Sequence, residues 1–335
     1  MTQNSIAIAG TGFIAAAHAL AARERGVPIT SFGSRHPAAA MARCRELGAP
    51  AHYYNMLPAG AGTVIVTTPP FRHHADTMAM LAAGATVIVE KPLCTTLEQA
   101  DELVAAGAVR VGYGENLLYA PIIAAIHAHT RTLAPLTQLE VRALQGTPTW
   151  GKFTTDAWGG GALFDLGVHP LAVTMLLAAP ATVASVSCQL GGASGHLTDE
   201  HAEVELTFSN GLRAQVVASW RFNRPVWDVQ AVSATSVVRA ELMGEQSLEV
   251  HGVPHALAPA TSTIATLDQL GYTHQLVSML EDFAAEREPL SSVAFGRTVL
   301  DIVCAAYQSA GQAGTAVKVP FAGPRNITPL HLWRS

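Results

Sequence analysis

The chain has 335 residues, 49% of them hydrophobic and 13% charged, with a net charge of −5 at pH 7. That length provides for two domains and a sizeable core, and an acidic balance with both signs spread along the chain excludes the basic patch that nucleic-acid binding needs. No apolar run reaches spanning length and no basic region precedes an apolar stretch at the N-terminus, so a cytoplasmic protein with no membrane partner is expected.

Ser5 to Ala9 reads as a short buried strand. It is followed by Gly10-Thr11-Gly12-Phe13-Ile14-Ala15, which opens a helical pattern running through Arg25. A glycine fingerprint between a strand and a helix is the dinucleotide-binding arrangement. Gly10 permits the tight turn, Gly12 lets a pyrophosphate approach, Ala15 lets the helix pack on the strand, and Phe13 and Ile14 begin the helix whose N-terminus takes the phosphates. The next strand, Val27 to Gly33, ends in Ser34-Arg35-His36, where an NAD-preferring domain carries an acid. A hydroxyl and a guanidinium suit a 2′-phosphate instead, so NADP is the favoured cofactor. NAD stays open, because Arg35 can also lie flat on adenine or point into solvent.

Val64 to Thr67 forms a further strand, and Thr68, Pro69 and His73 at its end are expected to line the dinucleotide crevice. The stretch from Asn55 to Gly62 is too short for the usual helix, which predicts a clipped crossover. Ala85 to Val89 is a β-branched run ending in Glu90-Lys91-Pro92. Such a strand in a parallel sheet delivers its last residues to the ligand edge, so Lys91 is expected as a cation at the mouth of the sheet, biased toward extended backbone by Pro92. Glu115 and Asn116, after Val111-Gly112-Tyr113, and Tyr119 just beyond them, are placed to touch nicotinamide or substrate, and Tyr119 equally suits packing the start of the next helix.

Beyond Tyr113 the pattern changes. Gly159-Gly160-Gly161 precedes Ala162-Leu163-Phe164-Asp165 and then His169. On one helix this spacing places Asp165 and His169 on one face, the glycines leave room for a ligand, and a helix start offers unpaired N–H groups. The pair suits the handling of hydroxyl protons; it equally suits a buried hydrogen-bonded pair that ties a helix down. Lys152, Trp158, Arg221 and Tyr272 are candidates to contact a substrate. Val183–Leu190, Ala202–Ser209, Leu212–Trp220, Val226–Ala234 and Ser236–Leu242 read as successive strands, punctuated by the hairpin dipeptide Asn210-Gly211. Cys44, Cys94, Cys188 and Cys304 are scattered, without the spacing of a disulfide scaffold or zinc site, and no metal is expected.

These motifs together resemble the Gfo/Idh/MocA oxidoreductases: Gly10-Thr11-Gly12, Val64 to Pro70 with His73, Glu90-Lys91-Pro92-Leu93, Gly112-Tyr113, the glycine run with Asp165 and His169, and the C-terminal segments Tyr272 to Phe283 and Ala305 to Ala310. The resemblance implies an α/β protein with an N-terminal Rossmann doubly wound parallel sheet over 1–116. An α+β domain with a large, mainly antiparallel open sheet follows over 117–335. It implies an enzyme that moves a hydride between NADP or NAD and a hydroxyl or keto group of a sugar, ketosugar or cyclitol. Lys91 binds the reacting oxygen and the nicotinamide ribose, His169 serves as general acid and base, and Asp165 orients the substrate. The open sheet face implies a homodimer or homotetramer. Gly114 to Pro121 stand where inositol dehydrogenases usually carry Asn and Arg, which weakens the transfer of their substrate. Two rival readings are a nicotinamide-dependent glycoside hydrolase with no net redox change, and a non-catalytic dinucleotide sensor, against which Lys91, Asp165 and His169 together argue because a sensor needs no proton relay.

Overall fold

A computed structural model describes residues 5–46, 52–54, 62–192 and 195–334. In chain order the elements are β1 (Ile6–Ala9), α1 (Phe13–Glu24), β2 (Ile29–Gly33), α2 (Pro37–Glu46), β3 (His52–Tyr54), β4 (Thr63–Val66), α3 (Pro70–Ala82), β5 (Thr86–Glu90), α4 (Leu97–Gly107), β6 (Val111–Gly114), α5 (Pro121–Thr130) and β7 (Leu136–Gly146). There follow α6 (Ala162–Asp165), α7 (Val168–Ala178), β8 (Val183–Gly192), β9 (Asp199–Phe208), β10 (Arg213–Ser219), β11 (Arg221–Ser233), β12 (Val237–Glu241), β13 (Ser247–Val250), β14 (Val253–Pro254), α8 (Ala265–Gln269), α9 (Tyr272–Ala284), α10 (Val293–Gly311), β15 (Val317–Lys318) and α11 (Pro329–Arg334).

The chain divides into two units. The first comprises Met1–Cys94, Glu98–Ala120 and Ala260–Arg297, and the second Thr95–Leu97, Pro121–Pro259 and Thr298–Ser335. The first unit is therefore not one continuous stretch ending near 116: α8 and α9 return to it. In α9 the reason is visible, because the sulfur and methyl of Met279 lie against Gly112 of β6, so closely that a Cβ there would come within 3.0 Å of both.

The first unit holds a six-stranded sheet of order β3-β2-β1-β4-β5-β6, parallel throughout. Every residue of β1, β4 and β6 is buried. Strands covered on both faces select continuous apolar runs such as Ile6-Ala7-Ile8-Ala9 rather than alternation. The connection from β3 to β4, where the clipped crossover is expected, lies outside the described residues.

The second unit holds a nine-stranded sheet of order β14-β13-β12-β11-β7-β10-β9-β8-β15. It is antiparallel except for one parallel pair, β7 with β10. The strand β7 was not among the expected strands, although its alternation is legible: Leu139, Val141 and Ala143 are buried while Gln138, Glu140 and Arg142 point the other way. Helix α7 packs on β7 and β10. The opposite face is polar and carries Glu203, Glu205, Arg213 and Gln215, and Arg142 grips Asp228 through two hydrogen bonds of 2.8 and 2.5 Å.

Candidate active site

In the first unit the glycine turn behaves as its sequence demands. Gly10 has φ +126°, and a Cβ there would lie 2.3 Å from Thr67 Oγ1 and 2.9 Å from the Thr67 carbonyl oxygen. Its N–H donates to Gly33 O at 2.8 Å, pinning the turn between β2 and β4. Gly12 is different, for nothing lies within 4 Å of the position a Cβ would take. It starts α1 without any side-chain cap, and Phe13 beside it is 65% exposed. Ile14 is half-buried and Ala15 is buried against the sheet. Open space over uncapped helix N–H groups, beside a turn too tight for a side chain, fits a pyrophosphate.

Ser34 is half-buried and accepts a hydrogen bond from the His36 N–H at 3.0 Å, while Arg35 is exposed. Sequence reading missed Arg43 on α2. Its guanidinium donates to Thr11 O at 3.0 Å and Gly12 O at 3.4 Å, with Glu46 at 2.7 Å on its other side, and so braces the glycine turn. Nothing in the local pattern of an alanine-rich helix marks it.

The loop after β4 is tied down by buried polar groups. Thr68 Oγ1 donates to Asp76 Oδ2 at 2.7 Å, and Arg72 donates to Asp76 Oδ1 at 2.5 Å. Pro69 caps α3 and Pro70 opens it. His73 is fully enclosed between this loop and the one carrying Lys91, with Nδ1 2.8 Å from Pro92 O and Nε2 2.6 Å from Thr68 O, and as a neutral imidazole it donates to one of these two carbonyls. Burial is the largest influence on its pKa and pulls it below the usual imidazole value, against the two carbonyls, Glu90 and Asp76.

Glu90 is the last residue of β5 and is 4% exposed. Its Oε1 accepts from His18 Nε2 at 2.7 Å and its Oε2 accepts from the Lys91 N–H at 3.0 Å. Burial pushes its pKa up, but the hydrogen bond from His18 and the charges of His18, Lys91 and His73 together hold it below the ordinary carboxylate value. The Lys91–Pro92 peptide is cis.

Glu115 and Asn116 are buried. Glu115 Oε1 accepts from the Leu117 N–H at 3.3 Å, and Asn116 Nδ2 donates to Leu270 O at 2.7 Å. The Tyr119 hydroxyl accepts from the Ser291 N–H at 3.2 Å, which places that ring in the packing of its own unit. Tyr272, also buried, stands edge-on to His18 with ring centroids 5.3 Å apart.

In the second unit the glycine run departs from expectation. The space beside Gly160 and Gly161 is taken by protein rather than left for a ligand. A Cβ on Gly160 would lie 2.4 Å from Phe164 Cβ, and one on Gly161 would lie 2.2 Å from Asp199 O. The helix-start N–H groups are also engaged, since Gly161 N–H donates to Asp199 Oδ1 at 3.1 Å and Leu163 N–H to Asp199 Oδ2 at 2.8 Å. The Tyr307 hydroxyl donates to Asp199 Oδ1 at 2.5 Å and accepts from Gly161 N–H at 3.0 Å. Burial raises the Asp199 pKa, with the Leu163, Tyr307 and Gly161 donors opposing it.

Asp165 and His169 do not share one helix. Asp165 ends α6, the helical path bends by 46° at the break, and His169 is the second residue of α7. Gly167 lies at the break and has no room for a side chain, for a Cβ there would meet Leu163 O at 2.7 Å. Both side chains are buried. His169 lies against Trp227 of β11, ring centroids 5.3 Å apart and planes 40° apart. The Trp227 indole is 8% exposed and its Nε1 has no hydrogen-bond partner among the described residues. Trp227 was unmarked in the sequence reading, because its place opposite His169 depends on a helix packing across the sheet. Lys152 is exposed, Trp158 is half-buried and edge-on to Phe153 at 4.6 Å, and Arg221 donates to Gly192 O at 2.9 Å.

A parallel sheet with this glycine turn and a lysine directly after β5, in one chain with a second unit whose helices α6 and α7 carry a buried Asp and His, defines a dinucleotide-dependent oxidoreductase of two units. The chain belongs to the Gfo/Idh/MocA family: residues 4–110 match the family model "Oxidoreductase family, NAD-binding Rossmann fold", and residues 127–253 match the family's C-terminal domain. A putative UDP-kanosamine synthase oxidoreductase subunit of Amycolatopsis mediterranei is 26% identical over 323 residues, covering 85% of this chain and 89% of that protein. GenD2 from gentamicin A biosynthesis, solved in complex with NAD, has a TM-score of 0.83 at 22% identity, covering 94% of this chain and 96% of its own. Levoglucosan dehydrogenase, solved with NADH, has a TM-score of 0.83 at 17% identity over 95% of this chain and 99% of its own. Among the described residues no single helix is long and apolar enough to cross a membrane, and no group of three or more His, Cys, Asp or Glu side chains is disposed to hold a metal ion.

Proposed function

We propose that this oxidoreductase interconverts a hydroxyl and a keto group on a sugar, ketosugar or cyclitol, using NADP in preference to NAD, with Lys91, Asp165 and His169 as its working side chains. The observation that carries the reading is Lys91 at the end of β5, its backbone held by Glu90, in a unit whose glycine turn leaves open space over Gly12. The bound nicotinamide supplies the hydride acceptor or donor. Lys91 polarises the reacting oxygen, and a fixed ammonium stabilises the developing alkoxide without reorganisation. His169 takes the hydroxyl proton in oxidation and returns it in reduction. Asp165 orients the substrate.

Gly10, Gly12, Phe13, Ile14, Thr68, Pro69, His73 and Glu90 shape the dinucleotide site. Ser34 and the exposed Arg35 take the 2′-phosphate, which is favoured by the absence of an acid after β2. A sugar-type substrate is supported by the similarity to a putative UDP-kanosamine synthase oxidoreductase subunit and to levoglucosan dehydrogenase. The polar sheet face of the second unit is the surface through which copies associate into a homodimer or homotetramer in the cytoplasm.

The test is calorimetric titration of stripped protein with NADPH and NADH, followed by a panel of sugars and cyclitols assayed for net change in reduced nicotinamide. Preference for NADPH and net redox turnover are expected. Tighter binding of NADH removes the phosphate-site assignment. Hydrolysis without net redox overturns the reaction class, and binding without any turnover overturns the enzymatic reading. A monomer in analytical ultracentrifugation removes the oligomer.

A further inference from the structure

We propose that His18 is a positioning residue for Lys91, acting through Glu90 to couple helix α1 to the lysine. The inference deepens the proposed function, since it rests on Lys91 as the residue that polarises the reacting oxygen.

Glu90 has its two oxygens on two different elements. Oε1 accepts from His18 Nε2 at 2.7 Å, and Oε2 accepts from the Lys91 N–H at 3.0 Å. His18 is 1% exposed and lies on α1, the helix that begins at the glycine turn. Tyr272 stands edge-on to its ring and leaves it little freedom to turn. A buried carboxylate persists only where its lone pairs are taken up and a positive group is close. Here His18 does the first for one oxygen, and the charge of the adjacent Lys91 does the second. The acidic and phenolic groups facing the same place, Glu115, Tyr113 and Tyr272, provide no cation.

Without the His18 donor, the cheapest responses open to Glu90 are to take up a proton or to rotate toward another donor. Either one loosens the Lys91 backbone and changes the field at its ammonium. The glycine turn and the open space over Gly12 do not depend on His18. Loss of His18 should therefore act on the chemical step and leave dinucleotide binding almost unchanged.

The chain has only three lysines, Lys91, Lys152 and Lys318, so reductive ¹³C-methylation gives a spectrum in which Lys91 is assigned by its absence in Lys91→Arg. Three proteins are compared: wild type, His18→Leu, which removes the donor, and His18→Gln, whose amide keeps one. In His18→Leu the Lys91 methyl resonance should move and kcat should fall about tenfold or more, with the dissociation constant for NADPH within about twofold of wild type. In His18→Gln both should return most of the way. Should His18→Leu not fold, His18→Asn, whose shorter amide cannot reach Oε1, takes its place.

A Lys91 resonance that stays put in the donorless variant, or that moves equally in the glutamine variant, overturns the proposal. Lys91→Met assayed alongside separates the two readings: retained turnover there removes the catalytic role of Lys91, whereas the resonance reports the His18 coupling independently of activity.

Discussion

Two glycines that look alike in the fingerprint should respond in opposite ways to the same added methyl group. Gly10 has φ +126°, and its Cβ would collide with Thr67 Oγ1 at 2.3 Å and with the Thr67 carbonyl oxygen at 2.9 Å. The backbone strain of an L-residue there is about 1–3 kcal/mol and the overpacking about 1–3 kcal/mol more. The clash is with backbone as well as side chain, so little of it can relax. Gly10→Ala should thus cost roughly 2–6 kcal/mol, lowering the melting temperature by on the order of 3–9 °C. Gly12 sits at φ −74°, ψ −170°, which alanine adopts freely, and its Cβ would meet nothing within 4 Å. Gly12→Ala should leave stability unchanged or raise it by about 0.4–1 kcal/mol through the unfolded chain. In the proposed site its methyl stands where the pyrophosphate approaches. Losing one charge-assisted hydrogen bond, about 1.5–3 kcal/mol, weakens dinucleotide binding by about 10- to 100-fold. Thermal melts and calorimetry on both variants read the two effects separately. If Gly12→Ala binds the dinucleotide as tightly as wild type, or melts as early as Gly10→Ala, the assignment of these two roles is wrong.

Lys91→Ala and His169→Ala should each cut turnover by about two orders of magnitude or more while circular dichroism shows the fold intact; near-normal steady-state rates in either would remove its role. Trp227→Leu should lower kcat about tenfold because the ring that sets the His169 imidazole is gone, and Trp227→Phe should keep most of the rate. Tyr307→Phe takes away a donor from buried Asp199 and an acceptor from Gly161, at a cost of about 1.5–3 kcal/mol; urea titrations giving equal stability would contradict the accounting. Glu90 has a folded pKa below its unfolded one, so its ionised form stabilises the fold above about pH 4.3, and that contribution disappears as the pH falls through the folded value. The melting difference between wild type and Glu90→Gln should therefore be present at neutral pH and shrink in acid, and a difference that grows in acid would reverse the sign.

Much of the nucleotide-binding unit was legible because its constraints are local. Gly10, Gly12 and Ala15 satisfy demands set within one turn of backbone, and a strand buried on both faces announces itself as an unbroken apolar run. The second site was less so. The spacing of Asp165 and His169 suggested a single helix, yet the two fall on α6 and α7 with a 46° bend between, and the glycines before them accommodate Phe164 and Asp199 rather than a ligand.

What the sequence by itself determined is therefore the fold class, the family, and the residue types available for chemistry, since periodicity, turn glycines and motif spacing are properties of neighbours along the chain. Tertiary structure alone decided the partners: Glu90 with His18 72 residues away, Trp227 against His169, Arg43 on the glycine turn, and the return of α9 to the first unit. The physical reason is that a buried polar group must find its partner wherever packing brings one within about 3 Å, and no short-range pattern encodes which distant element will arrive.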